Sequence, residues 1–137
     1  MKVLAVDFGD KRTGLAVSDE SGKFAFGLET VTADGKNKLA KKIADIANEK
    51  GCSLIVVGNP INMNGTRGPR SERACAFAKL LSEVSGIETQ MFDERCTTMA
   101  ASNYLNATNT RASDRKAVID TLSAQIILQN YLDSRSR

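Results

Sequence analysis

A chain of 137 residues with 42% hydrophobic and 26% charged residues has the size and balance of one globular domain, and no apolar stretch approaches the roughly 20 residues of a bilayer span. The first apolar run meets Asp7 too soon for a secretory signal, so a cytoplasmic protein with no membrane partner is expected. A net charge of +3 permits a polyanionic partner, while the total absence of histidine excludes histidine zinc sites and Ser-His or Cys-His nucleophiles.

Lys2 to Asp7 and Thr13 to Ser18 are apolar runs of strand character, and Asp19-Glu20-Ser21-Gly22-Lys23 has turn chemistry before Phe24. Three antiparallel strands in a meander are predicted. Leu39, Ala40, Ile43, Ile46 and Ala47 recur at helical spacing from Lys36 to Lys50, with Gly51 suited to end the helix. Leu54-Ile55-Val56-Val57 reads as a strand covered on both faces and stopped by Gly58-Asn59-Pro60. After a polar loop from Asn62 to Gly68, the stripe Ala74, Phe77, Ala78, Leu81 and Val84 predicts a second helix closed by Gly86. Glu88 to Phe92 is the fifth strand, and Thr97 or Thr98 caps a short helix through Leu105. A final helix starts at Ser113 or Asp114 and reaches about Asp133, its apolar stripe expected from Val118, Ile119, Leu122, Ile126 and Tyr131. Strands in a meander, then alternating with helices, predict one three-layer α/β/α domain over residues 1–137. Its five-stranded mixed sheet has three antiparallel strands, then two parallel ones, and helices on both faces.

Three acids in apolar surroundings stand out, because a carboxylate at a strand end or inside a helix is costly to bury without compensation. Asp7 ends an apolar strand before Phe8-Gly9-Asp10, at a carboxyl edge where open α/β sheets place ligands; an Asx turn is the competing reading. Glu94 follows the fifth strand, and strand alternation sends Asp93 to the opposite face, leaving Asp93 as the reserve candidate and a solvated pair with Arg95 as the plain alternative. Asp120 lies between Ile119 and Leu122 with the small Ala124 one turn later, and Lys116 one turn earlier offers a simple ion pair instead. Three such carboxylates can share one or two Mg²⁺ or Mn²⁺ ions, which favour oxygen ligands and activate water against a phosphodiester. Cys52, Cys75 and Cys96 form no C-x-x-C pair and are expected to be reduced packing residues.

Basic residues gather near these acids. Gly65 to Arg73, with Arg67, Arg70 and Arg73, leads into the second helix as a phosphate cradle, although no Walker A sequence is present. Arg111, Arg115 and Lys116 precede Asp120, Lys11 and Arg12 follow Asp7, and Arg95 adjoins Glu94. A nucleic-acid backbone is the natural polyanion to link them. With five phenylalanines and two tyrosines, base-stacking platforms are not evident.

The whole set resembles the YqgF family, also called RuvX, of pre-16S rRNA nucleases related to RuvC-type Holliday junction resolvases. Asp7-Phe8-Gly9 with Arg12 and Gly14 to Ser18 looks like its first motif, and Val57 to Pro60 with Asn64 to Thr66 and Gly68-Pro69-Arg70 its second. Asp93-Glu94-Arg95 with Thr97-Thr98 resembles the third, and Lys116 to Asp120 with Ile127-Leu128-Gln129 and Tyr131-Leu132 the last. The resemblance implies an RNase H-like fold, metal-ligand roles for Asp7, Glu94 and Asp120, and 5′-end maturation of 16S rRNA precursor by a hydrolase. Branched DNA is the alternative substrate, a non-catalytic nucleic-acid-binding domain a further alternative, and a monomer or homodimer is expected. Ser123 stands where RuvC-type resolvases often carry a further acid, which bears on occupancy of a second metal position.

Overall fold

Alternation along the first strand sorts the chain into two cores. In β1 (Val3–Phe8), Leu4 and Val6 turn to one face of the sheet and Val3 and Ala5 to the other, and all four are completely buried. The computed structural model describes residues 1–9, 12–59, 68–93 and 112–135, with 112–121 and 135 as helix backbone alone. The predicted short helix from Thr97 or Thr98 and the residues Lys11, Arg67, Glu94, Arg95, Cys96 and Arg111 lie outside the described residues.

The order of elements is β1, β2 (Thr13–Ser18), β3 (Ala25–Val31), α1 (Lys36–Lys50), β4 (Leu54–Asn59), α2 (Pro69–Ser85), β5 (Glu88–Asp93) and α3 (Ala112–Arg135). They form a five-stranded sheet of order β3-β2-β1-β4-β5. β2 is antiparallel to both β1 and β3, whereas β4 is parallel to β1 and to β5. The meander followed by parallel crossovers matches the expectation from sequence. Gly51 and Gly86 end α1 and α2 in the left-handed conformation that glycine adopts without steric cost.

Leu4, Val6, Leu15, Ile55 and Val57 meet Ile43, Phe77 and Leu81 of α1 and α2 on one face. On the other, Val3, Ala5, Ala16, Ala25, Leu54 and Val56 meet Ala124, Ile127, Leu128 and Leu132 of α3. The α3 side is built from smaller residues: Ala5 pairs with Ala16, which pairs with Gly27, giving a row of short side chains across three strands. Short side chains let a helix sit close to a sheet. The sheet-facing stripe of α3 therefore differs from the one expected, since Leu122 and Ile126 are only half-buried while Ala124, Ile127, Leu128 and Leu132 line the core. Apolar residues stand on more than one side of this helix, so their spacing gave no single direction.

The close seat of α3 is fixed by polar bonds to the edge strand. The Ala25 N–H donates to Gln129 Oε1 (3.0 Å), Gln129 Nε2 donates to the Lys23 carbonyl (3.0 Å), and Gln125 Nε2 donates to the Ala25 carbonyl (3.2 Å). The outward Ala25 groups at the start of β3 would otherwise present an open edge for pairing with another chain. In the β2–β3 turn, the hydrogen bond from Ser21, with backbone amides of Lys23, Phe24 and Gly22, holds the Asp19 carboxyl down at about 2. Burial raises the Cys52 thiol above its ordinary value, in keeping with a packing role.

Candidate metal and nucleic-acid site

Asp7 is the penultimate residue of β1, on the central strand and at its carboxyl end. It has the parity of Val3 and Ala5 and so belongs to the α3 face. Its partner on β2 is Gly14, and because Val6 stands beside Val57, the residue beside Asp7 on β4 is Gly58. The half-buried carboxylate is thus flanked on both neighbouring strands by a buried glycine, with no side chain beside it in that row. Sequence reading singled out Asp7 but not its glycine neighbours. A glycine inside a strand is their only local signal, and the pairing register is needed to bring both glycines to one acid.

The turn beyond β1 is equally tight. A β-carbon on Gly9 would fall 2.3 Å from the Arg12 carbonyl oxygen, so only glycine permits the chain to double back there. That turn delivers the half-buried Arg12 to the start of β2, at the same edge as Asp7.

β4 ends at Asn59, which is buried and accepts a hydrogen bond from the buried Ser71 hydroxyl in the first turn of α2. Gly68 precedes the helix in an extended conformation and Pro69 opens it. This side-chain bond fixes the start of α2 against the sheet edge, where Arg70 and Arg73 are exposed. Both arginines fall at the start of the helix that follows β4, as predicted, while residues 60–67 of the intervening stretch lie outside the described residues.

Asp93 closes β5, whose face assignment follows from α3. The Phe92 ring packs edge-on against Tyr131 of α3, with centroids 5.9 Å apart and planes at 77°, and the Tyr131 hydroxyl donates to Gln90 Oε1 at 3.1 Å. Gln90 and Phe92 therefore face α3, and Asp93, exposed beside Asn59, belongs to the opposite face from Asp7. The reserve candidate is thereby set apart from the site. Position 120 lies in α3 one turn before the buried Ala124, on the stripe continued by Ile127, Leu128 and Tyr131. Arg115 and Lys116 fall in the first turns of the same helix. Among the described residues no three acidic or cysteine side chains cluster closely enough to hold a metal ion.

The chain matches the RuvX family, described as Holliday junction resolvase, over residues 1–134. It is 43% identical over 134 residues to a protein of Ruminiclostridium cellulolyticum named as a candidate pre-16S rRNA nuclease, covering 97% of this chain and 94% of that one. It is 46% identical over 138 residues to a Geobacillus protein of the same name, covering 98% and 99%. Its fold is similar to that of Thermus thermophilus RuvC solved with a Holliday junction substrate, with a TM-score of 0.61 at 14% identity over 99% of this chain and 96% of the other. Fowlpox virus resolvase, solved with Holliday junction DNA, has a TM-score of 0.56 at 13% identity over the full length of both chains.

Proposed function

The chain belongs to the RuvX family, and from that premise we propose that residues 1–137 form one nuclease domain hydrolysing phosphodiester bonds of 16S rRNA precursor with Mg²⁺ or Mn²⁺. The observation that carries the reading is the carboxylate of Asp7 at the end of the central strand, flanked by glycine on both neighbouring strands and on the α3 face of the sheet. Asp120 is proposed as its helical companion. Ala124 shares a core cluster with Ala5; position 120 is about 6 Å further along the helix, and Asp7 about 6.6 Å further along the strand, so the two advance in step towards one edge. Glu94 is the proposed third ligand on the strength of the family membership, its position lying outside the described residues.

An all-carboxylate donor set suits hard divalent cations that retain several waters. Such an ion, when bound, supplies Lewis acidity and an activated water at neutral pH, which removes the need for a histidine base. The protein's own part is to hold the carboxylates on a rigid strand and helix, and to orient the nucleic-acid strand through Arg12, Arg70, Arg73, Arg115 and Lys116, with Lys11, Arg67, Arg95 and Arg111 as further contacts.

Incubation of the purified protein with a precursor fragment in Mg²⁺, Mn²⁺ or chelator tests the reading. Cleavage by wild type, abolished by chelator and by Asp7→Asn while RNA binding persists, is the expected result; undiminished cleavage by Asp7→Asn refutes the assignment. The likeness to resolvases solved with Holliday junctions favours a second reading, in which branched DNA is the substrate. Resolution of a four-way junction makes paired cuts by a two-fold dimer, so junction cleavage and a dimeric state would select it over RNA processing.

A further inference from the structure

We propose that the lysine-lined cleft between the end of β3 and the first turns of α1 is a contact site for a nucleic-acid backbone, extending its track past the rim at Asp7; the inference rests on the nuclease reading above. β1 and β3 both run antiparallel to β2, so the carboxyl end of β3 lies on the same sheet edge as Asp7. Phe8, Thr13 and Val31 form one row across β1, β2 and β3, which puts the end of β3 roughly 10 Å from that of β1.

The chain leaving Val31 supplies Thr32, Ala33 and Asp34 as one wall of an open cleft of about 530 Å³, and Lys38 and Lys42 supply the other. These lysines are one helical turn apart and share a side of α1. The Lys42 ammonium is held by donating to the Thr32 carbonyl at 2.8 Å, which leaves two of its three N–H groups for a ligand. Neither lysine forms an ion pair with a carboxylate among the described residues. Asp34 contributes one negative charge against the two ammonium groups, so the cleft stays positive.

The local arrangement opposes helix stability. Like charges one turn apart repel, and lysine near an amino-terminal end meets the positive pole of the helix dipole. α1 has no acidic residue in its first turn and no side-chain cap to offset this. The same features favour an anion. Exposed Lys36 and Lys41 continue the positive surface, and Arg12 stands at the start of β2 between the cleft and Asp7. Arg70 and Arg73 carry it along the same edge on α2. Positive groups spread along a rim fit a polyanion with repeating phosphates better than a small anion.

Fluorescence anisotropy of labelled single-stranded RNA, in chelator to block cleavage and over a range of KCl, tests the proposal. Lys38→Ala/Lys42→Ala should bind on the order of tenfold more weakly near 0.1 M salt, with the slope of log affinity against log salt reduced by about 1.4, and Lys38→Arg/Lys42→Arg should restore both. Both lysines are exposed and alanine favours helix, so loss of folding is not expected to obscure the comparison. Unchanged affinity and slope in the alanine variant overturn the proposal and leave the nuclease reading intact; a wild type that fails to bind RNA at all overturns both. Lost binding with a wild type that never cleaves supports the contact site while refuting the nuclease reading.

Discussion

Gln129→Ala removes the amide that joins α3 to the edge of the sheet, and the structure sets what this should cost. Two bonds to the β3 chain are lost, one accepted from the Ala25 N–H and one donated to the Lys23 carbonyl, together with the surface bond to Asp133. Each bond to the backbone is worth about 1 kcal/mol net. The Ala25 N–H is the more serious loss, because Ala25 is 6% exposed and a donor there has restricted access to replacement water. Against this, alanine is the better helix former by a few tenths of a kcal/mol. The balance is a destabilisation of about 1–3 kcal/mol, or roughly 3–12 °C in melting temperature for a domain of this length.

Urea unfolding followed by far-ultraviolet circular dichroism measures it, with the m-value as a check that the unfolded state is unaltered. Gln129→Glu separates hydrogen bonding from packing at nearly equal volume. Its carboxylate can still accept from Ala25 N–H but confronts the Lys23 carbonyl with an oxygen and stands one turn from Asp133, so at pH 7 it should be no more stable than the alanine variant. A Gln129→Ala change within 0.5 kcal/mol of wild type would refute the reasoning: water would then satisfy both β3 groups, and apolar packing alone would seat the helix.

Three other outcomes are expected. Asp93→Asn should cleave precursor RNA within about threefold of wild type, since Asp93 belongs to the opposite face from Asp7; loss of cleavage in a kinetic assay would contradict the strand parity. Gly9→Ala should lose both stability and activity, because its new methyl group must displace the Arg12 carbonyl from 2.3 Å and with it the turn beside Asp7; a wild-type melting curve would show that the turn yields cheaply. Asp19 has its carboxyl lowered to about 2 by Ser21 and the turn amides, so its contribution is present above the unfolded value of 3.8 and is lost as pH falls from about 4 towards 2. Amide chemical shifts of Ser21 to Phe24 in that window should follow the loss in wild type and be flat in Asp19→Asn.

Local pattern made the strands and the first two helices legible. Continuous apolar runs gave β1 and β4, and glycine after Lys50 and Ser85 gave the helix ends. Contacts between distant segments were not legible. Gln125 and Gln129 read as ordinary polar helix residues because their partners, Lys23 and Ala25, are 100 or more positions away. The stripe of α3 is hidden for a related reason: Leu122 and Ile126 resemble core residues in composition, yet they are half-buried while the small Ala124 is wholly buried against the sheet with Ile127 and Leu128. At Asp7 the acid was visible and its setting was not, since Gly14 and Gly58 become its neighbours only through pairing register.

These features have one physical origin in the row Ala5, Ala16 and Gly27. Larger residues there would lift α3 from the sheet, and the amides of Gln125 and Gln129 would no longer reach the β3 backbone. Two residues further along β1, and two earlier in the antiparallel β2, the same economy of side chains recurs as Asp7 beside Gly14. Small residues thus recur on the α3 face, bringing the middle of the helix into contact with the sheet and flanking Asp7 at the edge. Ala16→Val tests whether these are coupled. A buried methyl pair added beneath α3 is an overpacking change costing about 1–3 kcal/mol, and it should weaken protection of the Ala25 amide from hydrogen exchange along with RNA cleavage. Reduced stability with the Ala25 amide still protected and cleavage unchanged would show that the helix accommodates the extra volume without leaving its seat.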